Sequence, residues 1–266
     1  LKEKGSIYGS YRMNNILFIS RRIIYMLLPL AILSCCGRSG TSGGNVQKHQ
    51  SQERAKEYVI TDTTNAGLII YTPTYSRIAL ECGTMPEQAN ESIIFCCSAA
   101  FTGELRKEFS HSNIAGHHVS GGKLHKGFRC KPNTGAFVWY SGQWKFMLNE
   151  YADEMMAAAD SSGMGFAQNI IIHNGITQPH FRKNSFQYRA LCELDGKLCV
   201  IESKHIVKYA EFVNMLNELQ VKHAIYLDMG SGWNHAWYRK DSQSDVVVLH
   251  PKTHNYMTNW LTFYIG

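Results

Sequence analysis

Arg189-Ala190-Leu191-Cys192-Glu193-Leu194-Asp195-Gly196-Lys197-Leu198-Cys199-Val200-Ile201-Glu202 is the stretch that decides the fold. Apolar runs flank Asp195-Gly196, and Asp-Gly favours a tight hairpin turn whose central residues need positive φ. The stretch reads as a β-hairpin, with Ser185–Glu193 as one arm and Lys197–Glu202 as the other. Counting outward from the turn pairs Leu194 with Lys197, Glu193 with Leu198 and Cys192 with Cys199. The cysteine pair falls at a hydrogen-bonded position, where Cα atoms stand about 5.5 Å apart. A disulfide tolerates that separation. Cys82, Cys96, Cys97 and Cys130 are further thiols that sequence cannot pair.

The pattern continues on both sides of the hairpin. After it, Ser203 to about Gln220 reads as a helix with Ile206, Ala210, Val213 and Leu216 facing inward. Ala224–Leu227 then reads as a buried strand that stops at Asp228 and turns through Met229-Gly230-Ser231-Gly232-Trp233. Before it, Ala136–Tyr140 and Gln143–Phe146 flank Ser141-Gly142 as a second hairpin. Asn149 stands where it can cap a helix running to about Asp160, with Met155, Met156 and Ala159 toward the core. Shorter apolar runs at Glu57–Ile60, Gly67–Tyr71, Arg77–Glu81, Ser92–Ala100, Ile170–Ile172, Val246–Leu249 and Trp260–Ile265 read as strands or buried segments. Trp237-Tyr238-Arg239 belongs to another. The expected class is α+β: a single domain with mostly antiparallel, twisted β-sheet and a few covering helices.

Length and composition fit that class. The chain has 266 residues, 44% of them hydrophobic and 12% aromatic, enough for one well-buried core. Its formal charge of +6 is concentrated at the start. Residues 1–35 carry five basic residues and one acid, so the remainder is only +2. That balance gives no electrostatic footprint for nucleic acid. Met13 is the first methionine, and residues 1–12 read as lying upstream of the true start. Residues 13–35 read as an export signal, in which Arg21-Arg22 precede the apolar Ile23–Leu33, a core too short to span a bilayer. Ile32-Leu33-Ser34-Cys35-Cys36-Gly37 resembles the lipobox of bacterial lipoproteins. Lipid on Cys35 or Cys36 makes the membrane a partner by anchoring rather than spanning. Residues 36–55 are a Gly/Ser-rich tether, and residues 56–266 the folded domain. The expected location is the bacterial cell envelope, as a periplasmic or outer-membrane lipoprotein.

Three stretches draw attention as chemistry. Asp228 ends a buried strand above a glycine turn, where a ligand can approach the main chain closely. Ile170-Ile171-Ile172 stops at His173-Asn174-Gly175 in the same layout, which points to a shared cleft. Residues 111–127 hold His111, His117, His118 and His125, but their spacing matches neither a zincin helix nor a Cys/His finger. No metal and no cofactor is assigned. A metal hydrolase built on this loop would carry stoichiometric zinc.

Three motifs occur in the order seen in the phosphodiester glycosidase family, which this chain resembles over about residues 57–240. Ser98-Ala99-Ala100-Phe101 stands where the family has an Asn-Gly-Gly-Phe-like strand end. Arg189-Ala190 stands where it has an Arg before a small hydrophobic run. Asp228-Met229-Gly230-Ser231-Gly232 stands for its Asp-Gly-Gly-Gly-Ser turn. The match resembles a bacterial branch, with Gly232-Trp233 and Trp237-Tyr238-Arg239 as its own signature. The resemblance implies hydrolysis of a sugar-1-phosphodiester on an envelope or host glycan. Such chemistry needs a cation for the phosphate and a carboxylate for the oxocarbenium-like centre or the water. The resemblance assigns these to Arg189 and Asp228, with His173 handling protons. Ser98, Gln168, Asn174, Gly230, Ser231, Gly232 and Trp233 become candidate substrate contacts. The competing expectation is a non-catalytic glycan-binding lipoprotein on the same scaffold, with Trp233, Trp237 and Tyr238 stacking on sugar rings.

Overall fold

A computed structural model describes residues 55–101, 114–128, 133–179, 182–230, 232, 234–251 and 258–266. The signal, the lipobox and all but the last residue of the tether lie outside them, as do His111, Cys130, Ser231 and Trp233. The chain runs β1 (Val59–Thr63), β2 (Leu68–Pro73), β3 (Arg77–Gly83), β4 (Ile93–Ser98), β5 (His118–Ser120), β6 (Lys123–His125), β7 (Thr134–Tyr140), β8 (Gln143–Leu148), α1 (Ala152–Asp160), β9 (Met164–His173) and β10 (Ile176–Thr177). It continues through β11 (Ser185–Phe186), β12 (Arg189–Leu194), β13 (Lys197–Ser203), β14 (Val207–Lys208), α2 (Tyr209–Glu218), β15 (His223–Leu227), β16 (Ala236–Arg239), β17 (Val246–His250) and β18 (Thr258–Tyr264).

The two hairpins form as their turns dictate. Asp195 and Gly196 both take positive φ, and β12 pairs β13 with Leu194 opposite Lys197 and Cys192 opposite Cys199. Ser141 and Gly142 do the same between β7 and β8. From the first hairpin a large antiparallel sheet grows in the order β1-β2-β13-β12-β15-β9-β5-β6, with β7 and β8 joined through β9. A second antiparallel sheet runs β17-β16-β4-β18-β3. Alternation places Leu191, Leu198, Val200, Ile225 and Leu227 of the first sheet in one core with Phe95, Cys97, Leu261 and Phe263 of the second. The other face of the first sheet is covered by α2, through Tyr209, Phe212, Val213 and Leu216. Residues of α1 close a smaller core over β5 and β7. The fold is thus mostly antiparallel sheet with two α-helices among the described residues.

Three expectations need correction. α2 begins at Tyr209 rather than Ser203. Ser203 ends β13, where its hydroxyl accepts the Tyr188 N–H at 2.9 Å, and Val207–Lys208 pairs with β11. Ile206 is consequently 70% exposed instead of facing inward. Asn149 does not cap α1. It takes positive φ and its N–H goes to Thr134 O, Tyr151 holds the cap position, and Met156 faces solvent. Finally, Cys192 and Cys199 stand opposite one another but remain free thiols, with Cys199 Sγ directed at the Cys192 carbonyl at 3.8 Å.

Candidate active site

Antiparallel pairing brings strand starts and ends alternately to the same edge, and one end of the sandwich collects polar residues that way. Arg189 starts β12 opposite both Glu202 at the end of β13 and Leu227 at the end of β15. In the second sheet Ser98 ends β4 opposite Trp260, and His250 ends β17 opposite Ala236. Ser98, Arg189, Glu202, Asp228, His235 and Asn259 are all buried here.

The end of β4 ties the two sheets together. Asp228 N–H donates to Ala99 O at 2.8 Å, and Ser98 N–H donates to His235 O at 3.3 Å. Asn259 clasps Ala100 from the other side, its Oδ1 accepting the Ala100 N–H at 2.7 Å and its Nδ2 donating to Ala100 O at 2.9 Å. The small residues at Ala99 and Ala100 let the main chain run between the sheets in this close contact.

Asp228 is 6% exposed. Its Oδ1 accepts the Gly230 N–H at 3.0 Å, an Asx turn that fixes the carboxyl at the strand end. Burial raises its pKa to about 6, against the lowering effect of the Gly230 donor and the Arg182 guanidinium. Arg182 lies with its guanidinium carbon 4.8 Å from the Tyr226 ring and 5.5 Å from the Phe101 ring, in cation–π contact with both. The Tyr226 hydroxyl accepts the Met229 N–H at 3.3 Å. Burial first, and then the Asp228 charge, push the Tyr226 phenol up. A buried carboxyl of near-neutral pKa thus shares its field with the guanidinium of a partly exposed arginine.

Arg189 is at the same end and has a buried carboxylate partner of its own. It is fully buried, with Nε and Nη2 engaged and Nη1 without a hydrogen-bond partner. Nε and Nη2 reach Glu202 Oε2 at 2.9 and 2.8 Å, and Nη2 also donates to Asn234 O at 3.2 Å. His250 Nε2 holds the other Glu202 oxygen. Burial opposes the Glu202 charge, but Arg189 and the His250 hydrogen bond outweigh it and keep the carboxyl below its ordinary value. The side chain is wholly enclosed, and Nε and Nη2 are committed to the Glu202 carboxylate.

His173 and Asn174 lie elsewhere. β9 and β15 are antiparallel, with Ile172 opposite Ala224, so the end of β9 meets the start of β15. His173 packs against His223 with ring centroids 4.9 Å apart, and Asn174 N–H points to His223 Nδ1 at 3.4 Å. At ~3.3 Å per residue, the length of β15 puts them roughly 16 Å from Asp228. Two strands that end alike in sequence end at opposite edges when they are antiparallel neighbours. Gln168 lies further along β9 toward the Asp228 end, buried, with its Nε2 unpartnered. Ser98 Oγ is likewise buried and unpartnered. Gly230 and Gly232 follow Asp228 as expected, and Gly232 takes positive φ. Trp237 is fully buried and Tyr238 packs on Tyr71 at 5.4 Å, because β16 lies between β17 and β4. The Trp237 ring is thus enclosed, while Tyr238 is half-buried.

The sequence reading missed Glu202, His250, Asn234, Tyr226 and Arg182. Glu202 carried a signal: the count that pairs Cys192 with Cys199 also pairs Arg189 with Glu202. A cleft of about 690 Å³ lies beside α1, lined by His117 and Asn149 to Glu154. None of the candidate catalytic or substrate-contact residues lines it, although His117 of the His-rich loop does. His118 and His125 stack at 4.8 Å across β5 and β6, and among the described residues no three His, Cys, Asp or Glu side chains are grouped to hold a metal ion.

No family model matches the chain, and no curated protein matches it. Among solved structures it is similar to the zebrafish N-acetylglucosamine-1-phosphodiester alpha-N-acetylglucosaminidase catalytic domain, auto-inhibited by its pro-peptide. The TM-score is 0.51 at 11% identity, over 82% of this chain and 86% of that one. The likeness is one of fold. It agrees, at that level, with the phosphodiester glycosidase resemblance read from the motifs.

Proposed function

We propose that this chain is a glycosidase-like hydrolase that cleaves a sugar-1-phosphodiester, exported and held at the bacterial envelope by lipid on Cys35 or Cys36. The observation that carries the reading is Asp228, a buried carboxyl with a pKa of about 6 held at the strand end by the Gly230 N–H, within the electrostatic reach of the Arg182 guanidinium. Above pH 6 the carboxylate accepts a proton from water, which attacks the anomeric carbon. The bond from that carbon to the phosphate oxygen breaks, and its electrons leave with the phosphate. A phosphomonoester is a good leaving group and needs no strong acid. Arg182 takes the place assigned to Arg189 and neutralises the phosphate. The distant fold relative, named for phosphodiester chemistry on N-acetylglucosamine, lends support to the substrate class.

The test is release of free sugar from a panel of sugar-1-phosphodiesters by the purified chain in detergent. Asp228→Asn and Arg182→Ala should each lower release by about 100-fold or more. Glycan binding without turnover, unaffected by either substitution, would instead identify a binding lipoprotein on this scaffold.

A further inference from the structure

Leu227, the last residue of β15 before Asp228, and Asn234 are both tied to one buried network. Arg189 is central to it. Its backbone is paired with Leu227, the residue before Asp228, and its Nη2 holds the Asn234 carbonyl at 3.2 Å. Asn234 is held a second time through its side chain, with Nδ2 3.4 Å from His250 Nδ1. His250 Nε2 reaches Glu202 Oε1, and Glu202 Oε2 returns to Arg189 at 2.8 Å. The bonds close a ring: Arg189, Asn234, His250, Glu202 and back. Its polarity is consistent at every step, since a proton on His250 Nε2 donates to Glu202 and leaves Nδ1 to accept from the Asn234 amide. The ring also spans the two sheets, with Arg189 and Glu202 on the first and His250 on the second.

We propose that this ring is the positioning device of the active site. Arg189, Glu202 and His250 touch no substrate. Glu202 and His250 fix Arg189, whose backbone pairs with Leu227, and so hold the strand end from which Asp228 meets the Gly230 N–H. This assignment rests on the hydrolase reading for its catalytic consequence, but its structural consequence stands apart from it. Without the ring the Arg189 anchor beside Leu227 is loosened, and the Gly230 donor that lowers the Asp228 pKa is less firmly held on the carboxyl. The carboxyl then titrates higher, and a smaller fraction is ionised near neutrality. His250 is the member to perturb, because its side chain is 15% exposed whereas Arg189 is wholly enclosed.

The experiment compares His250→Leu with His250→Gln in the full chain, each verified as folded by circular dichroism. The Leu side chain can neither donate to Glu202 nor accept from Asn234. The Gln amide can do both. Carbon-13 NMR of the Asp228 carboxyl reads the structural arm: the midpoint should rise in His250→Leu and stay at the wild-type value in His250→Gln. Kinetics on a sugar-1-phosphodiester reads the other arm: kcat should fall by about 10- to 100-fold in His250→Leu, KM should change by less than about threefold, and His250→Gln should restore most of kcat. An unmoved Asp228 midpoint in a folded His250→Leu protein overturns the proposal. A moved midpoint in a protein whose wild type releases no sugar upholds the positioning device and removes the hydrolase reading.

Discussion

Asp228→Asn should make the protein more stable while it abolishes turnover. The folded protein holds the Asp228 proton more tightly than the unfolded chain does. The carboxyl therefore contributes fully below pH 3.8, and its contribution is lost as the pH climbs through about 6. The interval from 3.8 to about 6, at ~1.36 kcal/mol per pH unit, comes to about 3 kcal/mol. Asn removes the titration and keeps an oxygen for the Gly230 N–H. Urea unfolding followed by tryptophan fluorescence, at steps from pH 3.5 to 8, gives the difference between the two proteins. The variant should match wild type below pH 4 and exceed it by up to about 3 kcal/mol above pH 7. The difference matters more than the wild-type curve, because His223 acts in the opposite sense over an overlapping range. A gap that stays constant with pH, or one that favours wild type as pH rises, refutes the reasoning.

Further outcomes follow from the same structure. The His223 imidazole is pushed down to about 4 by burial and by His173, so it should stay neutral at pH 5 in proton NMR. Its contribution is complete above pH 6.5 and is lost as the pH falls toward 4, so replacing His223 with Phe should flatten acid destabilisation in that window. Arg189→Met alone leaves the buried Glu202 without its guanidinium and with only His250 as partner, and should cost about 3–5 kcal/mol in urea unfolding. Arg189→Met with Glu202→Leu should recover much of that loss, which a double-mutant cycle measures. Gly135→Ala should destabilise by about 1–3 kcal/mol, because its Cβ would meet Met147 O at 2.0 Å and Ile170 Cγ1 at 2.4 Å. Thermal melts would expose a neutral outcome.

The antiparallel sheets were legible because two tight turns announced them, and register follows from a turn by counting. The start of α2 was not. The hydroxyl of Ser203, a good helix cap in isolation, is taken by the Tyr188 N–H across the hairpin. Asp228 was legible as a polar stop after an apolar strand. His173 looked equivalent, but pattern alone does not say which edge a strand end faces, and antiparallel neighbours send such ends apart. Arg189 drew attention as a cation, but its ion pair with Glu202 was not read. Its neighbour Glu202 was within reach of the hairpin count, whereas His250 meets Glu202 only when the second sheet packs on the first. Arg182 sits in a loop without periodicity, and its contact with Tyr226 is tertiary.

The most direct test of the central claim is a crystal structure of the chain with a non-hydrolysable sugar-1-phosphonate diester. The phosphonate oxygens should lie within hydrogen-bond distance of Arg182, with the anomeric carbon facing Asp228 across the Gly230 turn. A phosphonate seated at Arg189, at the His173–His223 end of β15 or in the cleft beside α1 would contradict it.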